Sequence, residues 1–480
     1  MKKYLVMFIE SAWYSLNIDD FNDYNTSHIF NKVDSIITFQ SSDLIREFKA
    51  RDFQKLPIII DLESFDKQMS QEGKEFKNYK KWTAIQLLKH HKIVDEGFKL
   101  ASSNFKQFME HLSAYYLSQI EKDEEEKKRF IDLELKVNEI VYERQLKGVR
   151  IDIELAKKKC RLIEKIIYNI KNKLQFEHQI YTPENTSFQF DYLREKKYRI
   201  IESPKYTFKT RRNEDVICNL LYELIRNNED LESLLYTIAY FGGQNRTHPW
   251  YLGFGTITSR IILRQPSLQN LRRVNRDIII PDENMSLLYI DYSQFEAGIL
   301  ASLSEDEKLI ELYNTDIYTD LAEKVIGDKE KRGDAKILFY RYMYGDDTLS
   351  KKAKEYFKEF KQLDVFRSNI DRQISEKGKI GTVEGNYRCS LENDEYSWSL
   401  SHLIQSTASL IYKKALISVK ENLKYAEFLI PMHDGTLYQI PDFYLEEYKE
   451  VIKKIYLDEF KKVCPQLKVY AHIDKPFAIS

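Results

Sequence analysis

The sequence predicts an α/β (α+β) chain built from more than one unit, and three observations lead to that. Short runs with strand character open the chain and return in its second half. Long segments with helical periodicity lie between them. The chain has 480 residues, 43% of them hydrophobic, which is too long for one small domain and apolar enough for real cores.

Taken in order, residues 4–9, 35–39 and 56–60 read as strands, and residues 82–91 and 105–120 as helices. Together they predict a small N-terminal α/β domain. The run 121–129 is densely charged and lacks apolar periodicity, so a boundary is expected near residue 125. A helix is predicted over 133–147, stopped by Gly148. Asp152 then reads as the N-cap of a helix through residue 173, which carries seven lysines and arginines from Lys157 on. Such a face is either plainly solvated or a surface that tracks phosphates. Further on, residues 286–292 read as a strand and 428–440 as a hairpin with Asp434-Gly435 at its turn. No internal repeat or low-complexity tract interrupts the chain.

Charged residues make up 31% of the chain, yet the formal net charge is −1, which excludes a uniformly basic surface. Any nucleic-acid contact must use local Lys and Arg patches. Cys160, Cys218, Cys389 and Cys464 stand far apart in sequence and form no C-x-x-C motif, so they read as reduced structural thiols. The apolar run after Met1-Lys2-Lys3 is broken by Glu10, too short and polar for a signal peptide or membrane span. A cytoplasmic chain with no membrane partner is expected.

Three segments carry candidate chemistry. Asp291 ends the apolar run Leu287-Leu288-Tyr289-Ile290, and a carboxylate at a strand end suits metal binding. Taken alone, it reads more readily as the cap of a helix over 296–303. Asp434 sits at the hairpin tip after His433, either as a turn residue or as a second carboxylate beside Asp291. Two such charges at close range call for a cation between them. Arg332, Lys336, Tyr340 and Tyr344 follow each other at intervals of four, which on a helix gives one face of two cations and two aromatics. That face matches a nucleoside triphosphate, and matches an ordinary surface with aromatic packing as well.

These segments resemble motifs A, B and C of the A-family polymerases, the family of bacterial DNA polymerase I. Asp291-Tyr292-Ser293-Gln294-Phe295-Glu296 is similar to D-Y-S-Q-I-E, and Met432-His433-Asp434-Gly435 to V-H-D-E. Arg332 through Gly345 is similar to R-x-x-x-K-x-x-x-(F/Y)-G-x-x-Y-G. In family order come Thr258-Ser259-Arg260 for T-G-R, Pro266-Ser267-Leu268-Gln269-Asn270 for P-N-L-Q-N, and Asp316-Ile317-Tyr318-Thr319 for D-I-H-T. Thr382, Val383 and Gly385 follow the fingers pattern. Gln405-Ser406-Thr407-Ala408 resembles Q-G-T-A, and Gly148-Val149-Arg150-Ile151-Asp152 resembles G-V-x-L-D.

The resemblance spans roughly residues 130 to 475 and implies a right-hand polymerase fold with palm, fingers and thumb. The implied plan is 1–125 as a reduced exonuclease-like or partner-docking domain, 126–255 as thumb and start of palm, and 256–480 as palm and fingers. Asp291 and Asp434, with the Tyr292 carbonyl, would hold two Mg²⁺ ions, for which Mn²⁺ can substitute. Arg332 and Lys336 would hold the triphosphate, Tyr340 would pack on the incoming nucleotide, and Gln294 would stand nearby. Glu296 would be the gate against a 2′-hydroxyl. Tyr344, Arg260, Gln269, Asn270, Gln405 and His433 would meet the primer–template. DNA template, primer and deoxynucleoside triphosphates follow as partners.

The departures are Arg341 for a glycine, Gly435 for a glutamate, Ser259 for a glycine, and Asn386-Tyr387 for part of an arginine cluster. Arg341 is expected to add a cation near the nucleotide or template. Asp61-Leu62-Glu63 mimics the D-x-E of a 3′–5′ exonuclease, but too little chain follows for the rest, so proofreading is not expected. The compact plan also resembles the A-family primase–polymerases of staphylococcal cassette chromosomes. That likeness implies priming for a mobile element, a small protein partner on the N-terminal domain, and a replicative helicase. The competing readings are a silent polymerase-like nucleic-acid-binding accessory protein and a ribonucleotide-using RNA polymerase.

Overall fold

The computed structural model describes residues 3–474 apart from 20, 22–23, 27–33, 73–82, 201–202, 345, 347, 391–395 and 433. Trp82, His433 and Gly345 of the sequence reading therefore lie outside the described residues. The chain divides into two units. Met1–Lys147, Tyr251–Ile262 and Glu283–Pro476 form the first, and Gly148–Trp250 with Leu263–Asp282 the second. The boundary expected near residue 125 falls inside the first unit.

The first unit opens with a five-stranded sheet in the order Tyr24–Thr26, Ala12–Asn17, Lys3–Ile9, Ser35–Thr38, Ile58–Asp61. The first pairings are antiparallel and the last two parallel. A parallel pair needs a crossover, and the helix Ser41–Ala50 supplies it between the last two strands. Leu5, Ile37, Ile60, Phe65, Leu87, Phe108 and Leu112 share the core beneath this sheet with the helices Leu62–Met69, Ala84–His90 and Phe105–Ile120.

The charged run 121–129 carries a short helix with two buried charges. Asp123 caps a helix, Glu124–Arg129, by accepting from the backbone N–H of Glu125 and Glu126. Glu126 and Arg129 are buried. The Glu126 carboxylate accepts from Tyr387 N at 2.6 Å and Gln68 Nε2 at 2.8 Å, and Arg129 pairs with Glu134. Buried charges persist when paired and hydrogen-bonded, and composition alone does not reveal such partners.

The first unit also holds a four-stranded antiparallel sheet in the order Glu427–Met432, Gly435–Pro441, Met285–Tyr292, Ala471–Asp474. Leu288, Ile290 and Tyr292 alternate on the buried face of the strand Met285–Tyr292, so Asp291 projects from the opposite face. The helix Leu445–Val463 packs on this sheet and on the helix Ser399–Asn422. Between Met285–Tyr292 and Glu427–Met432 runs a helical segment that includes Phe295–Ser304, Ile317–Leu321, Arg332–Met343 and Lys361–Lys377, followed by the ribbon Lys379–Thr382/Gly385–Cys389.

The second unit is built on two long helices, Ile153–His178 and Val216–Ala239. Asp152 caps the first as expected, its carboxylate accepting from Leu155 N at 2.9 Å. That helix runs past residue 173 and stops where Gln179 takes φ +58°. Ala156, Cys160, Ile163, Ile167 and Ile170 form its buried stripe at helical spacing. Part of its basic face is engaged locally: Lys159 reaches the Val274 carbonyl at 2.7 Å and Asp277 at 3.0 Å, and Lys171 meets Glu184 at 2.9 Å. Among the described residues no helix is long and apolar enough to cross a membrane.

Candidate active site

Asp291 is a strand residue. It stands opposite Gly435 on one side and His472 on the other. The alternative of a helix cap is set aside: the following helix starts at Phe295, its N-cap is Gln294 at φ +49°, and no side chain caps it. Asp434 lies beside this strand, its carbonyl accepting from Tyr292 N at 3.4 Å.

The hairpin tip differs by one residue from the sequence reading. Met432 pairs with Gly435, so Gly435 belongs to the strand and not to the turn. Gly435 is not there for a positive φ. A Cβ on it would lie 2.3 Å from the Ile290 carbonyl oxygen and 2.9 Å from Asp291 Oδ1. The absent side chain is what lets the Asp291 carboxylate sit against the hairpin that carries Asp434.

Asp291, Asp434 and the Tyr292 carbonyl would offer hard oxygen donors, the kind that Mg²⁺ takes. Among the described residues no group of three or more His, Cys, Asp or Glu could hold a metal by itself. Magnesium ordinarily takes one or two carboxylates and completes its shell with water and substrate phosphates.

Glu296 is the second residue of the next helix and is 3% exposed. One of its oxygens pairs with Arg260 Nη2, and Oε2 has no hydrogen-bond partner. Burial pushes its carboxyl up to about 7; Arg260 and Lys336 oppose this, and the charge of Asp434 adds to it. Glu296, Arg260, Asp434 and Lys336 thus share one electrostatic neighbourhood.

The helix Arg332–Met343 presents Arg332, Lys336 and Tyr340 along one side. Tyr344 follows as its C-cap, with its N–H on the Tyr340 carbonyl at 2.9 Å. Lys336 Nζ is 5.8 Å from the Tyr340 ring centroid, and Tyr340 lies 5.9 Å from Tyr344. Tyr344 is 45% exposed and its hydroxyl accepts from Gln405 Nε2 at 3.0 Å. Arg332 is engaged by Asp316, with Nε–Oδ2 at 2.6 Å. Burial raises the Asp316 carboxyl, but hydrogen bonds from Arg332 and Thr319 outweigh it and leave it below its ordinary value.

Sequence reading missed Tyr318. Its buried ring lies 5.1 Å from the Arg332 guanidinium and 5.9 Å from Lys336 Nζ, holding both cations over one aromatic face. The signal was available in Asp316-x-Tyr318-Thr319, where Asp316 caps a helix and so places Tyr318 in its first turn.

Other residues singled out in the sequence have partners of their own. Arg341 is taken up by Asp346 at 2.6 Å and by Thr348 at 3.1 Å, closing the turn after its helix. Both ends of the Gln294 amide are occupied, Nε2 by the Tyr313 carbonyl at 3.3 Å and Oε1 by Ile317 N at 3.2 Å, so this side chain ties helices together. Gln269 and Asn270 belong to the second unit, where Gln269 Oε1 accepts from Leu263 N at 3.2 Å. Ser259 sits at φ +64° with no exposed surface; its hydroxyl donates to Glu134 and accepts from Arg129 and Lys413, all buried. Burial lowers the Lys413 ammonium to about 8.

In the N-terminal sheet, Asp61 caps the helix Leu62–Met69, accepting from Ser64 N at 2.8 Å and Ser41 Oγ at 2.6 Å. Glu63 pairs with Lys67 at 2.6 Å. The two carboxylates of the D-x-E pattern are thus both committed to local contacts.

The model of DNA polymerase family A matches residues 226–477. DNA polymerase I of Caldicellulosiruptor bescii is 25% identical over 372 residues, 66% of this chain and 43% of that protein. DNA polymerase I of Helicobacter pylori is 26% identical over 267 residues, 48% of this chain and 30% of that protein. The matched region therefore spans less than half the length of these curated relatives. The solved POL domain of Pol1 from M. smegmatis, in complex with DNA primer-template and dNTP, shares the fold at a TM-score of 0.77 and 16% identity, covering 99% of this chain and 95% of that one.

Proposed function

Because the chain belongs to DNA polymerase family A, we propose that it is a template-directed DNA polymerase that joins deoxynucleotides to a primer 3′-end with two Mg²⁺ ions at Asp291 and Asp434. The observation that carries this is the register. Asp291 faces Gly435, so Asp434, one residue before it at the hairpin tip, is held beside the strand that carries Asp291. Bound there, the ions supply activation of the 3′-hydroxyl and stabilisation of the leaving pyrophosphate. Asp291 and Asp434 provide the charge that holds them, and the Tyr292 carbonyl adds a neutral oxygen.

Arg332 and Lys336 bind the triphosphate. Arg332 must exchange its Asp316 partner for phosphate oxygens, a charge-assisted swap between two anions. Tyr340 packs on the nucleotide. Tyr344 and Gln405, already hydrogen-bonded to each other, meet the templating base and the nascent pair. Glu296, fixed by Arg260, crowds a 2′-hydroxyl. That motivates deoxynucleotide preference over the ribonucleotide alternative.

The rest of the reading is as follows. Residues 1–125 serve as a reduced domain without proofreading, in keeping with the local use of Asp61 and Glu63. Residues 126–255 form the thumb and start of the palm, and 256–480 the palm and fingers. Priming without a primer, a small protein partner, a helicase and service to a mobile element rest on likeness of plan alone.

The test is extension of a primed template with either nucleotide set, alongside an unprimed single strand. Faster extension with deoxynucleotides is expected, and faster ribonucleotide extension overturns the gate. Products on the unprimed strand would make the chain a primase, and their absence leaves primer extension as the function.

A further inference from the structure

Several buried hydroxyl groups meet next to the strands that lead to the two aspartates. Thr436, Tyr438, Tyr456, Tyr412 and Tyr292 are all buried, at 5% exposure or less. Thr436 Oγ1 donates to Tyr412 Oη at 2.9 Å and lies 2.7 Å from Tyr456 Oη. Tyr456 Oη in turn lies 3.1 Å from Tyr438 Oη. Each hydroxyl has one proton to give. Since Thr436 spends its own on Tyr412, Tyr456 must donate to Thr436 and Tyr438 to Tyr456. The result is one directed chain from Tyr438 to Tyr412. On the other strand, Tyr292 Oη donates to the Tyr456 carbonyl at 3.0 Å.

Residue 456 is therefore the common reference for both aspartates. Tyr292 is the chain neighbour of Asp291, and Thr436 lies two residues beyond Asp434 and opposite Ile290. The backbone ladder fixes the register of the two strands, and apolar packing here would exclude water but tolerate small shifts within that register. A buried, directed set of hydrogen bonds does not, because a shift leaves hydroxyls unpaired in a low-dielectric interior.

We propose that Tyr456 and Thr436 are positioning residues that fix the separation of Asp434 from Asp291 and so tune divalent-cation binding at that pair. The proposal rests on the polymerase reading above for where the cations sit.

The experiment compares Thr436→Val, Thr436→Ser and Tyr456→Phe in the full chain. It measures Mn²⁺ affinity by electron paramagnetic resonance titration, kcat and KM for single-deoxynucleotide extension, and the thermal midpoint. Groups that orient metal ligands typically change affinity or activity by about 10–100-fold when removed. Thr436→Val is expected to lose about that factor in kcat and to weaken Mn²⁺ about tenfold, with the deoxynucleotide KM unmoved. Thr436→Ser, which keeps the hydroxyl, restores both. Tyr456→Phe resembles Thr436→Val, and the double variant adds little, because the two act as one chain. Wild-type Mn²⁺ affinity in Thr436→Val overturns the proposal. So does a loss shared equally by Thr436→Ser, or a loss that follows the thermal midpoint. If the unsubstituted chain extends no primer, the polymerase reading falls, while the Mn²⁺ comparison still decides this one.

Discussion

Replacing Gly435 by alanine puts one carbon into a space that the structure has filled. The added Cβ would stand 2.3 Å from the Ile290 carbonyl oxygen, 2.9 Å from Asp291 Oδ1 and 3.0 Å from Asp291 Cα. A carbon–oxygen contact relaxes only near about 3.3 Å, so the hairpin and the central strand must part by roughly 1 Å. The nearest obstacle is backbone, so no side chain can swing aside. A misplacement of about 1 Å at reacting groups costs on the order of 100-fold in rate, about 2.7 kcal/mol of barrier. Overpacking adds about 1–3 kcal/mol of lost stability. Single-turnover primer extension at saturating nucleotide reads the first and urea unfolding the second. Gly435→Glu restores the residue of the family pattern and should be worse than alanine, because the longer side chain meets the same backbone. Extension by Gly435→Ala within about threefold of the parent, less than about 0.7 kcal/mol, would refute the reasoning.

Two further outcomes follow from buried charges. Glu134→Gln leaves Arg129 and Lys413 facing each other through Ser259 without their shared anion, and should lower unfolding free energy by about 3–5 kcal/mol; an unchanged urea midpoint would contradict this. Glu296 has a folded-state pKa of about 7, raised from its ordinary 4.5 chiefly by burial. Its contribution to stability is therefore full below about 4.5 and is lost as pH rises through about 7. The unfolding free energy of the parent should fall relative to Glu296→Gln across that window, and parallel profiles would show that the carboxyl is not buried as described.

Much of the site was legible because it follows from short-range rules. The apolar run 287–290 reads as a strand that ends at Asp291, and apolar runs on either side of Asp434 imply a hairpin. Spacing by four placed Arg332, Lys336 and Tyr340 on one helix face. What stayed hidden depends on partners far away in sequence. Nothing in the composition of 121–129 distinguishes Glu126 and Arg129, which are buried against residues 68, 134 and 387, from exposed charges. Gly435 invited a turn reading because glycine commonly supplies positive φ, whereas here it supplies room. Arg341 reads as a free cation until Asp346, five residues on, closes upon it.

The most direct test is single-turnover primer extension by Asp291→Ala and Asp434→Ala, each compared with the parent and each checked for primer–template binding. The account predicts that either substitution takes extension below detection while binding persists. Extension at the parent rate by either variant would contradict the assignment of the two aspartates as the metal-holding pair.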